Sequence, residues 1–116
     1  MIEKAKYRLK YVTDKRIDKN TAQFILEDAY EASREAAQSL MSVKGFKPYS
    51  HEATIAFVKE NYNEFNDKDI YDFDKFRKLR HDSIYKAEPV SEEDARQSIL
   101  FASNFVKKVK SIFEKD

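Results

Sequence analysis

The chain has no cysteine, no tryptophan, one glycine and two prolines in 116 residues. Without cysteine there is no disulfide scaffold, no thiol nucleophile and no thiolate metal site. The two histidines, His51 and His81, stand thirty residues apart, which makes a histidine-based zinc site improbable, so no metal or other cofactor is expected. A single glycine leaves no room for glycine-rich phosphate loops or dinucleotide fingerprints. So few turn formers also argue against most β-rich architectures. No apolar run approaches the roughly 20 residues that cross a bilayer, and no signal-peptide pattern opens the sequence, so a cytoplasmic location away from membranes is expected. A dominant charge sign is missing too. The 22 Lys plus Arg against 21 Asp plus Glu leave a net +1, too little for a global field that would hold a nucleic acid.

What is present is amphipathic helix. A chain of this length buries roughly two-thirds of its unfolded surface, enough for one core, so residues 1–116 are expected to form a single domain. Ile2, Ala5, Leu9 and Val12 recur at helical steps in a first segment reaching about Arg16. A second runs from Thr21 to about Lys44, with Ala22, Ile25, Ala29, Ala32, Ala36, Leu40 and Val43 on one stripe and Gly45 as its left-handed C-cap. Such a helix is about 36 Å long, and its small side chains invite a close antiparallel neighbour. Ser50 is placed to cap a third helix ending near Asn61, and Asp67 or Asp69 to open a fourth that carries Ile70, Phe73, Phe76 and Leu79 to about Tyr85. Ser91, followed by Glu92, Glu93 and Asp94, starts the last, whose residues Ala95, Ile99, Ala102, Val106, Val109 and Phe113 form a seam for a partner helix. The expected fold is all-α, an antiparallel helical bundle of about five helices.

Charge is sorted locally. Glu60, Glu64, Asp67, Asp69, Asp72 and Asp74 precede the basic run Lys75, Arg77, Lys78, Arg80 and Lys86, and the simplest meaning is a solvated helical surface. The densest cluster with chemical potential lies in that basic run. Arg77, Arg80 and His81 recur at helical steps beside Asp82, and two guanidinium forks with an imidazole suit a phosphate. A metal-free ribonuclease needs a base, an acid and a cation against developing charge. This segment offers the cation and one proton carrier. An intramolecular salt-bridge network is the structural alternative. Phe24, Phe57, Phe73, Phe76, Phe105 and Phe113 are assigned to packing or a dimer seam, whereas Tyr7, Tyr11 and Tyr62 are read as exposed and left without a role.

The alanine-rich helix entering Lys44-Gly45-Phe46-Lys47-Pro48-Tyr49-Ser50-His51, the later Leu79-Arg80-His81-Asp82-Ser83-Ile84-Tyr85, and a last helix opening Val90-Ser91-Glu92-Glu93-Asp94-Ala95 together resemble a HEPN domain (higher eukaryotes and prokaryotes nucleotide-binding) from about Thr21 to Phe113. The resemblance implies a small antiparallel bundle that forms a homodimer. It also implies a prokaryotic toxin–antitoxin-like module with a minimal nucleotidyltransferase partner, or binding of RNA or nucleotide. In ribonuclease-active members an arginine, with a polar residue directly after it, is followed by a histidine with four to six residues between the arginine and the histidine. Here Arg80 and His81 match the first half, while Tyr85 stands at the first of the expected histidine positions. A phenol with a pKa near 10 shuttles protons poorly at neutral pH. Arg80, His81 and Tyr85 are therefore the expected catalytic set, and Arg77, Arg80 and Lys86 the expected nucleotide or RNA contacts. His51, in the family's serine-histidine turn, is read as fixing the connector. Two alternatives remain: a metal-independent endoribonuclease using Arg80 and His81, and a protein-interaction module without ligand.

Overall fold

The computed structural model describes residues 2–115, and every regular element among them is helical: α1 (Ile2–Thr13), α2 (Ala22–Val43), α3 (His51–Asn61), α4 (Asp67–Lys86) and α5 (Glu92–Glu114). Local chemistry sets most of the boundaries. Gly45 adopts φ 79°, which lets its N–H reach the Ser42 carbonyl at 3.1 Å and the Phe46 N–H reach Met41 at 2.9 Å, the two-bond stop of a Schellman motif. The Ser50 hydroxyl accepts from Ala53 N–H at 3.0 Å, and Ser91 does the same for Asp94 at 2.9 Å. The fourth helix opens at Asp67, one of the two expected starts, behind Asn66 as N-cap in a reciprocal capping box with Asp69. The first helix stops at Thr13 rather than near Arg16. Lys15 N–H turns back to the Val12 carbonyl, and the Asp18 carboxylate gathers the N–H groups of Asn20 and Thr21 at 2.8 and 2.9 Å. That turn also holds the Asp18 carboxyl below its usual range, chiefly through the Asn20 and then the Thr21 N–H.

The second helix is the spine. Ala22, Leu26, Ala29, Ala32, Ala36 and Ala37 on it are fully buried, so neighbouring helices approach closely and α2 packs most extensively on α5, then on α1. The seam Ala95, Ala102, Val106 and Val109 of α5 is consumed inside the chain. It is therefore not a free face for a second copy. Behind it lies an aromatic core in which Phe73 meets Phe105 edge-on at 4.9 Å and Phe65 stacks on Phe105 at 4.8 Å.

Two aromatic assignments change. Phe24 is not packed: it is 62% exposed on α2. Tyr62, expected at the surface, is half-buried, 6.1 Å from Phe57 and beneath Lys44. The acidic stretch is largely paired within the fold, as in Lys68–Asp72 at 2.7 Å and Lys108–Asp69 at 2.5 Å. Among the described residues no helix is long and apolar enough to cross a membrane.

Candidate functional site

Tyr30 is the largest fully buried side chain of the chain's described part, and it interrupts an otherwise small-residue stripe of α2. Its hydroxyl lies 2.8 Å from Nδ1 of His51, and the two rings stack at 5.6 Å with an interplanar angle of 11°. The same phenol ring also meets Phe73, tilted, at 5.8 Å. His51 can reach this position because the Schellman stop and the Ser50 cap together return the chain from the end of α2 to its middle. The expectation that His51 fixes the connector therefore holds in part. The imidazole also takes a place in a cationic cluster.

Three arginines surround this pair. The guanidinium of Arg80, from α4, sits 5.7 Å from the Tyr30 ring centroid, within cation–π range. Arg34 follows Tyr30 by one turn of α2, ion-pairs with Glu31, and keeps its Nε buried without a hydrogen-bond partner. Arg77 donates from Nε to Asp74 at 2.7 Å and from Nη1 to Glu52 at 3.0 Å. Arg80 has no carboxylate within ion-pair distance among the described residues. It is the uncommitted cation of the group.

The electrostatics follow from burial and from these charges. Burial pushes the Tyr30 phenol up to about 12 against the opposing pull of Arg80, Arg34 and Arg77, so it stays protonated. Burial first, and then Arg34, Arg80 and Arg77, hold His51 below its ordinary value, with Glu52 pulling weakly the other way. The positive end of α3, on which His51 is the first residue, acts in the same direction. A buried phenol needs an acceptor for its proton. Nδ1 of a neutral His51 is the acceptor in reach, which leaves Nε2 carrying the ring proton. An anion entering beside Arg80 would meet a guanidinium with unused donors and an imidazole whose protonation the anion itself would favour.

Of the residues singled out from sequence, Arg77 and Arg80 face this cluster. His81 and Tyr85 do not join it. They lie one turn apart on the exposed side of α4, rings 4.8 Å apart, with His81 Nδ1 3.5 Å from Asp82 Oδ1. Lys86 reaches the same Asp82 oxygen at 3.5 Å from the last turn of α4. Tyr30 and Arg34 escaped the reading of the sequence. The signal was available, two large polar-tipped side chains at i and i+4 within a stripe of alanines, but periodicity alone assigns such positions to packing.

No curated protein and no solved structure matches the chain. The sequence profile of the HEPN domain matches residues 1–112, nearly the whole length. With an all-helical fold and a match of that extent, the chain belongs to the HEPN domain family.

Proposed function

We propose that the cluster around Arg80 binds the phosphate of a nucleotide or of RNA, and that binding rather than turnover is its task. One observation carries this reading: a half-buried guanidinium without a carboxylate, held over Tyr30 beside a neutral imidazole and two further arginines. Arginine recognises phosphate through its planar fork, and a guanidinium already desolvated on an aromatic face loses less on binding. RNA, unlike a mononucleotide, would extend from Arg80 toward Lys86 at the end of α4. The distinction is testable. Anisotropy with a labelled single-stranded RNA, and NMR titration with a nucleoside monophosphate, should both respond to Arg80→Ala with about a tenfold loss of affinity. Only the RNA arm should respond to Lys86→Ala. Unchanged binding in Arg80→Ala would defeat the reading.

A cleavage reading has one observation in its favour. His51, from α3, stands beside Arg80 and supplies the imidazole that α4 lacks at Tyr85. Cleavage in chelator that is lost in both Arg80→Ala and His51→Ala would move the assignment from binder to ribonuclease. Membership of the family and the exposed side chains of Tyr7, Tyr11 and Phe24 support the remaining parts of the proposal, a homodimer working in a toxin–antitoxin-like module with a nucleotidyltransferase partner. Sedimentation at micromolar concentration tests the dimer, and a monomer there would remove it.

A further inference from the structure

A groove of about 410 Å³ runs between α1 and α5, on elements that contribute nothing to the Arg80 cluster. Its floor is apolar, formed by Leu9 and the buried Val106. Its rims are cationic on both sides: Lys6 and Lys10 at i and i+4 of α1, Lys107 and Lys110 at i and i+3 of α5. Lys10 and Lys107 meet no carboxylate among the described residues, while Lys6 and Lys110 reach only exposed neighbours on their own helices, Glu3 at 3.4 Å and Glu114 at 3.9 Å. Exposed pairs of that length are weak and yield easily to a better partner. Among the described residues Asp14 is the sole acid of the lining, and it sits at its end.

We propose that this groove docks an acidic amphipathic helix of a protein partner. The apolar floor takes side chains spaced at i and i+3 or i+4, and the paired lysines receive carboxylates on either side of that stripe. From Lys6 to Asp14 the groove follows α1 for about 12 Å, a little over two turns of a docked helix. The lining contains no aromatic ring on which a base could stack and no guanidinium fork, so a nucleic acid would gain only charge there and leave the floor uncovered. A second copy of this chain is a poor occupant. On its acidic α4 the apolar residues Phe73 and Phe76 that would have to meet the floor are buried in its own core, and Asp69 and Asp74 are paired at home.

The test is residue-resolved NMR on the full chain with three probes: a synthetic helical peptide of about four turns bearing leucines flanked by glutamates, the same peptide with lysines for glutamates, and a short uridine RNA. The glutamate peptide is expected to move the amides of Leu9, Lys10, Ser103, Val106 and Lys107, more weakly as salt rises. Lys10→Glu with Lys107→Glu, both at exposed positions, should weaken that peptide about tenfold and admit the lysine peptide instead. Equal response to both peptides, shifts confined to other surfaces, no shift at millimolar peptide, or RNA moving these amides at lower concentration than the peptide would each overturn the proposal.

Discussion

Two arginine centres flank the second helix, and they differ in whether their charge is closed. On the α1 side, Arg8 donates to Glu35 at 2.5 Å and lies 3.6 Å from Asp28, and Lys4 stands 3.2 Å from the other Glu35 oxygen without hydrogen-bond alignment. Glu35 is only 8% exposed, so this centre is a latch between helices whose cations have carboxylates to answer them. On the α4 side, Arg34 and Arg77 have such partners and Arg80 has none among the described residues. Both centres take arginine into partly desolvated surroundings. The first returns that cost through ion pairing within the fold, and the second leaves part of it for a ligand to return.

The largest expected effect comes from opening the closed centre. Arg8→Ala leaves the Glu35 carboxylate with Lys4 alone and should destabilise the fold by about 2 kcal/mol, a fall in Tm of several degrees by thermal melt, with phosphate binding unchanged. Loss of binding in this variant would erase the contrast between the two centres. Next in size is Arg80→Ala, where the effects should invert: about tenfold weaker RNA binding, and a stability change of about 1 kcal/mol for the lost cation–π contact. A destabilisation as large as that of Arg8→Ala would make Arg80 a structural latch as well.

The pH responses sharpen the comparison further. Histidine NMR should find His51 titrating below 6.5, its midpoint rising in Arg80→Ala, where one repelling charge is gone, and rising again when a phosphate occupies the site. A midpoint indifferent to Arg80 would remove the electrostatic basis of the site. Because the folded pKa of His51 is depressed, its contribution to stability is present above about 6.5 and lost as pH falls through the folded value. Tyr30 works at the other end. Its folded pKa is raised, so its contribution is intact below 10 and lost as pH climbs through about 12. Ultraviolet titration should show one of the seven tyrosines ionising late, in step with unfolding, and Tyr30→Phe should abolish that component.

Much of the fold was legible because its signals are local. Gly45, Ser50 and Ser91 announce helix ends through their own backbone and hydroxyl chemistry, and the structure places them there. Phe24 failed as a core assignment because a helical period does not say how wide the covered arc is. Four helices crowd around α2, yet Phe24 sits on the strip that none of them reaches. The seam of α5 was read correctly as a burying surface, but not its partner, since Ala95 to Val109 fits any alanine-lined helix equally well and α2 of the same chain is the nearest. In the candidate site, Arg77 and Arg80 could be found by adjacency along α4. Their meeting with Tyr30, Arg34 and His51 could not, because these groups come together across helices that the chain connects through a reversal of direction.

The amino-acid sequence by itself determined an all-helical chain, most of its helix ends and the family it belongs to, since each of these follows from short-range spacing, capping chemistry and the order of motifs. Tertiary structure alone decided which cations remain open. Arg8 and Arg80 are the same residue type on neighbouring surfaces of one bundle, and what separates latch from candidate binding site is the company each meets after folding: Glu35 and Asp28 for one, the face of Tyr30 for the other. Charge closure is a property of distances between helices, and distances between helices are not written in the period of any one of them.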